Sequence, residues 1–84
     1  MSYYVYLLKS ISPGINKTYA GYSTDVNKRL MKHNSNNGAK STRGYKWKII
    51  YQKKFETKSE AMSYEHKIKK DKVLRKRILE EFDV

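Results

Sequence analysis

A chain of 84 residues that contains no cysteine has no disulfides to hold it together, and at this length it buries only about 60 to 65% of the surface its unfolded form exposes. Its stability must come from one modest hydrophobic core. The same absence excludes a thiolate zinc site, an iron–sulfur cluster and a thiol nucleophile, and the length excludes a multidomain enzyme. A single domain over residues 1–84 is the expectation. Aromatic residues are 13% of the chain, and Tyr3, Tyr4, Tyr6, Trp47, Tyr51 and Phe55 gather in segments that read as ordered.

Charge narrows the partners. Against 8 Asp and Glu stand 19 Lys and Arg, a formal net charge of +11. Lysine and arginine in such excess point to a polyanion, because neutralising phosphates releases their counterions. The plainer reading is a basicity that serves solubility or a ribosomal setting. The opening run Tyr3 to Leu8 is too short to span a membrane, and it lacks the basic flank and cleavage site of a secretory signal. No membrane association and a cytoplasmic location are therefore expected.

Tyr3 to Leu8 is a continuous apolar and aromatic stretch of strand length, ended by a turn around Pro13-Gly14. Lys17 to Tyr22 reads as a second strand, close enough to pair antiparallel and bring Tyr6 and Tyr19 together. Ser23-Thr24-Asp25 offers side-chain oxygens to cap a helix running to about Asn34, with Val26 and Leu30 as its buried stripe. Arg29 and His33 flank that stripe, one turn apart, at the edge of the core and within reach of solvent. Asn34 to Gly38 is a loop by composition. Tyr45 to Phe55 alternates, with Trp47, Ile49, Tyr51 and Phe55 expected on one face and lysines largely on the other.

Thr57-x-x-Glu60 is a capping box that opens a helix with the stripe Ala61, Tyr64, Glu65 and Ile68. Glu65 lies in the middle of that apolar face. Acids rarely take such positions unless paired or bound to a cation. Asp71 can cap a last, basic helix over 71–84, with Leu74, Ile78 and Phe82 inward and Arg75, Lys76 and Arg77 largely outward.

In chain order, Tyr4-Val5-Tyr6, Tyr19-Ala20-Gly21, Arg29-x-x-x-His33 and Glu65 form a set that resembles the GIY-YIG nuclease superfamily, in particular its small stand-alone members. The loop Gly38-Ala39-Lys40-x-Thr42-Arg43-Gly44 and the run Ser59-Glu60-Ala61-x-x-x-Glu65-x-x-Ile68-Lys69 resemble the same subgroup. The likeness covers roughly Tyr3 to Lys70. No single piece is specific, but the ordered set is. Tyr4 stands where the family has the first glycine of its first motif, and Ala20 where it has the isoleucine of its second; both positions shape a strand and supply no reacting group. The expected fold is α/β, a three-stranded, mainly antiparallel sheet flanked by helices. The resemblance implies that Tyr6, Tyr19, Arg29, His33 and Glu65 form a catalytic site with one metal ion.

Phosphodiester hydrolysis gives these residues tasks. A water must lose a proton, charge on the pentavalent phosphate must be met, and a poor leaving oxygen must be stabilised. Mg²⁺ or Mn²⁺ suits the last two needs and prefers carboxylate oxygen with retained waters. Glu65 is the expected protein ligand; an ion pair with Arg29 or a lysine is the other role open to it. Arg29, permanently charged and planar, suits transition-state charge. For the base there are two candidates: Tyr6, which needs a lowered pKa, and His33, which titrates nearer neutrality. Tyr19 fits a hydrogen-bonding and positioning role. Lys40 and Arg43 in the loop, with Arg75, Lys76 and Arg77, are the expected nucleic-acid contacts.

The resulting expectation is a divalent-metal-dependent endonuclease of DNA in repair or recombination. A domain this small has no room for separate recognition, so it selects branched or damaged DNA by shape, shows little sequence preference, or is targeted by a protein partner. The alternative is a non-catalytic nucleic-acid-binding module on the same fold. Charge spread over several faces cannot engage one duplex at every lysine, so about 4 to 7 phosphate contacts are expected, and log K should fall against log[salt] with a slope of about −3.6 to −6.3. Fluorescence anisotropy with metal absent, from about 50 to 200 mM salt, measures it. A slope near zero would sever the basicity from nucleic acid.

Overall fold

Val5, Tyr6, Leu7 and Leu8 are consecutive, with no polar residue between them, and a strand of that kind needs cover on both faces. The computed structural model, which describes residues 2–11, 17–35 and 44–82, shows how the chain provides it. Strand β1 (Tyr3–Ser10) lies between β2 (Thr18–Ser23) and β3 (Trp47–Phe55), and both pairings are antiparallel. Helix α1 (Val26–Asn34) precedes β3, and α2 (Lys58–Lys70) and α3 (Lys72–Phe82) follow it. This is the α/β arrangement expected, a three-stranded antiparallel sheet flanked by helices.

All four residues of the β1 run are fully buried. Val5 and Leu7 pack with Ala20, Ile50, Ala61, Ile68 and Ile78, on the face covered by α2 and α3. Tyr6 and Leu8 point the other way and pack with Val26 and Trp47, on the face covered by α1. Burying Val5, Leu7 and Leu8 contributes about 1.5–3 kcal/mol each.

The expected single apolar face of β3 is not what forms. Leu7 pairs with Tyr51 and Leu8 with Ile49, so Ile50 is left without a partner in a bulge. A one-residue slip exchanges the faces beyond it. Trp47 and Ile49 therefore join the α1 side, while Tyr51 and Phe55 join the α2 side. Ile50 enters the core beneath α2 and α3, which explains an isoleucine on what the alternation marks as the polar face.

The helix starts are as expected. The Lys28 amide donates to Asp25 Oδ1 at 3.1 Å. The Glu60 amide donates to Thr57 Oγ1 at 3.2 Å, and the Thr57 hydroxyl donates to Glu60 Oε1 at 2.9 Å. Asp71 serves two helices: its amide donates to Lys67 O, and its carboxylate accepts from the Leu74 amide at 3.0 Å. On α3, Ile78 is buried, Leu74 and Leu79 pack beside it, and the side chain of Phe82 is outside the described part. Arg75 departs from its expected outward position. It is half-buried, and its Nη1 donates to Ile68 O at 2.8 Å and also to Lys69 O. The last carbonyls of a helix have no partner within it, and at α2 the guanidinium supplies one. Lys76 and Arg77 are exposed. Lys40 and Arg43, and the turn at Pro13-Gly14, lie outside the described residues. Among those described, no helix is long and apolar enough to cross a membrane.

Gly21 faces Tyr6 across the β1–β2 pair. A Cβ on Gly21 would stand 2.5 Å from Tyr6 Oη and 2.7 Å from its Cζ. The Tyr6 ring is fully buried and has nowhere to retreat. Gly21→Ala is therefore expected to cost about 1–3 kcal/mol, as overpacking does, read by urea denaturation. Unchanged stability would mean that the phenol moves freely.

Candidate active site

The contact that Gly21 permits carries the Tyr6 phenol across β2 to α1. There Tyr6 Oη lies 3.3 Å from His33 Nε2. The Tyr19 ring stacks obliquely on the same imidazole, with centroids 4.9 Å apart and planes inclined by 55°. The Asp25 cap sets the phase of α1, so Arg29 and His33 fall one turn apart on the side facing these tyrosines. At the other end of the helix, Asn34 Nδ2 donates to Trp47 O at 3.2 Å, and the Trp47 amide donates to Asn34 Oδ1 at 2.6 Å. Asn34, which reads in the sequence as the start of a polar loop, thus fastens the end of α1 to β3. His33 is drawn in with it. Expected at the rim and within reach of solvent, it is fully buried between Tyr6 and Tyr19.

Burial dominates the electrostatics here. The Tyr6 phenol is pushed above its usual range by desolvation; Arg29 opposes this through a hydrogen bond and its charge, and Tyr19 and Glu65 add to the rise. Burial likewise pushes His33 down, with the Arg29 charge acting the same way. Both groups are neutral near pH 7, and a neutral imidazole keeps a lone pair for a proton. Which atom of the Tyr6–His33 pair donates depends on the imidazole tautomer. Arg29 Nε is buried and has no hydrogen-bond partner.

Glu65 approaches from α2, on the opposite face, round the edge strand β2. Its side chain is 17% exposed, and its carboxylate accepts from Lys69 Nζ at 2.8 Å. The lysine is therefore the ion-pair partner, one of the two roles its position admits. That bond, ahead of the opposing desolvation, holds the Lys69 ammonium above its ordinary range, and the ammonium also lies 6.0 Å from the Tyr19 ring centre. Among the described residues no three His, Asp or Glu converge on a metal position. A hard cation bound by one carboxylate, with waters and phosphate oxygens completing its shell, is compatible with that donor set. The Glu65 carboxylate is partly exposed and engaged by Lys69 at Oε1, which leaves further lone pairs for a cation, so the residues present fit such an ion.

The structure thus brings Tyr6, Tyr19, Arg29, His33 and Glu65 into one electrostatically linked group. Three further residues belong to the same neighbourhood: Gly21, which makes room for the phenol; Asn34, which positions α1; and Lys69, which neutralises Glu65. Gly21 closes the Tyr19-Ala20-Gly21 motif, Lys69 is signalled by its i+4 spacing from an acid on an apolar stripe, and Asn34 reads only as the start of a loop.

Residues 2–77 match the GIY-YIG catalytic domain. The UPF0213 protein of Staphylococcus saprophyticus is 40% identical over 68 residues, covering 80% of this chain and 79% of that protein. Its counterpart in Staphylococcus aureus strain Mu3 is 42% identical over 69 residues, covering 81% and 80%. The solution NMR structure of a UPF0213 protein from Bacillus halodurans superposes with a TM-score of 0.51 at 36% identity, covering 94% of this chain and 82% of that one.

The burial of His33 makes stability depend on pH. Its unfolded imidazole takes a proton near a pKa of about 6.5, whereas the folded one takes it only at lower pH. The unfolded state then binds more protons, and stability falls as pH drops below that value and through the folded pKa. Thermal melts at about pH 7.5, 6.5 and 5.5, spanning that value, should show the loss, and His33→Gln should flatten it. An equal slope in the variant would assign the dependence to another group.

Proposed function

The chain belongs to the GIY-YIG family of nuclease catalytic domains, and on that premise we propose that it is a divalent-metal-dependent endonuclease hydrolysing DNA phosphodiesters in repair or recombination, selecting targets by shape more than by sequence. The observation that carries this reading is Arg29 Nε, a buried donor without an acceptor, beside a phenol–imidazole pair and a single carboxylate. Leaving such a donor unpaired costs about 1–3 kcal/mol. A phosphate oxygen is the acceptor it lacks, and the permanent charge of the guanidinium meets the charge that grows on that oxygen in the transition state.

In this reading Tyr6 donates to His33 Nε2, passes its proton to the neutral imidazole, and as phenolate takes a proton from the attacking water. The Arg29 charge stabilises the phenolate as well as the phosphorane. Tyr19 holds the His33 ring in place. Glu65 would hold the divalent cation, which when bound supplies Lewis-acid charge at the phosphate and the leaving oxygen. Because Tyr6 is fully buried in the free protein, an incoming phosphate must displace a neighbouring side chain. Arg29 is half-buried with its Nε unpaired, so it is the movable group. The exposed cations Lys76 and Arg77 carry the flanking DNA, and Lys40 and Arg43, which lie outside the described residues, are the further candidates from the sequence.

The test is incubation of supercoiled and branched DNA with Mn²⁺ or Mg²⁺ against EDTA. Cleavage is expected only with metal. Tyr6→Phe and Glu65→Gln, both close in volume to the native residues, should fold normally and lose orders of magnitude in rate. Arg29→Ala should slow cleavage by about 10², equivalent to about 2.7 kcal/mol, with little change in DNA affinity measured in EDTA. Binding without cleavage under any condition would leave the non-catalytic module as the function.

A further inference from the structure

Beside the catalytic group lies a second concavity. Thr18, Tyr19 and Ala20 on β2, Lys69 on α2 and Arg75 on α3 enclose a cavity of about 240 Å³. Tyr19 is shared: it packs on His33 and also forms a wall of this cavity. Two cationic and two hydroxyl-bearing residues line it, a composition suited to an anion.

Both cations are held in place. Arg75 Nη1 donates to the Ile68 and Lys69 carbonyls, which fixes the guanidinium plane and leaves its Nε and Nη2 hydrogens for a ligand. Lys69 donates one hydrogen to Glu65 and has two more. The charges also select among anions. Two cations against the Glu65 carboxylate leave one net positive charge, lessened by the carbonyl end of α2. That balance suits a phosphodiester, with its single negative charge, better than a doubly charged terminal phosphate.

We infer that this cavity binds a backbone phosphodiester of the substrate strand, next to the phosphate held at Arg29. The strand then runs from α1, past Tyr19, to the junction of α2 and α3, where Lys76 and Arg77 are exposed. Which strand occupies the cavity rests on the nuclease reading; the anion site itself does not.

The experiment follows the amide spectrum of the full chain in EDTA during titration with dimethyl phosphate, a diester monoanion, and separately with methyl phosphate. Dimethyl phosphate should shift the Thr18, Tyr19, Ala20 and Lys69 amides, and Lys69→Gln should weaken this by about tenfold or more, as loss of a charge-assisted hydrogen bond does. Lys69 is the better variant because Arg75 also secures α2. No shift at these amides, or one unchanged in Lys69→Gln, overturns the inference. Tighter binding of methyl phosphate also overturns it, in favour of a strand end. A duplex bearing one neutral methylphosphonate, moved along the strand, should lose affinity for the native protein at each contacted phosphate, and at one of those positions should lose little for Lys69→Gln. That pattern without cleavage upholds the site while the nuclease reading fails. Cleavage with equal sensitivity in both proteins overturns the site and leaves the nuclease reading standing.

Discussion

The middle strand is buried on both faces, and that single constraint places the Tyr6 phenol inside the core. Val5 and Leu7 anchor α2 and α3, while Tyr6 and Leu8, alternating with them, receive α1. A strand with one solvated face would leave Tyr6 at the surface, free to adopt several rotamers. Here its ring has one place to go, over the bare backbone of Gly21, and its hydroxyl reaches His33. Stability and chemistry therefore share the same residues. A substitution at Gly21 that leaves every polar group intact still acts on the site, because it moves the wall against which the phenol is pressed.

Dryness has a price in reactivity. Burial pushes the Tyr6 phenol up and the His33 imidazole down, which widens the gap a proton must cross between them. Arg29 helps at one end and hinders at the other, since its charge lowers both groups. In the proposed mechanism a phosphate beside Arg29 would favour a protonated His33, and a cation held at Glu65 would favour an ionised Tyr6. Without them both groups rest neutral. An unloaded site of this kind has little tendency to activate water.

Much of this was legible in the residues. Apolar continuity from Tyr3 to Leu8, the caps at Asp25, Thr57 and Asp71, and the stripe on α2 mark the elements nearly to their ends, because each rests on local chemistry. Glu65 was conspicuous for the same reason, as an acid where the period demands an apolar residue. What stayed hidden depends on pairs far apart in sequence. The bulge at Ile50 arises from register against β1, and its one trace within β3 is an isoleucine on the face that alternation marks as polar, which implies cover there but no slip. The depth of His33 depends on the Asn34 clasp on Trp47, 13 residues away, so helical phase alone left it at the rim. The Arg75 contact with α2 is set by the turn at Asp71, which brings a surface position back against a helix end.

The distribution of positive charge completes the picture, since a net charge of +11 overstates what is free for phosphates. Lys17 covers the Tyr45 ring at 4.5 Å, and Lys53 lies over Phe55 and Tyr64 at 5.6 and 5.0 Å. Lys46 donates to the Asn34 carbonyl at 2.9 Å, and Arg75 closes α2. These contacts use charge to hold structure. Lys48, Lys53 and Lys54 are exposed along β3, a strand paired on one side, and charged side chains on such an edge oppose pairing with other chains. β2 is the other edge of the sheet, and its outer side is occupied differently: Tyr19 meets Lys69 there, beside the carboxylate and the anion cavity. One edge is thus guarded by lysines and the other is given to the site. Among the described strands these are the two edges, so the candidate site and the lysine-lined edge fall at opposite sides of β1.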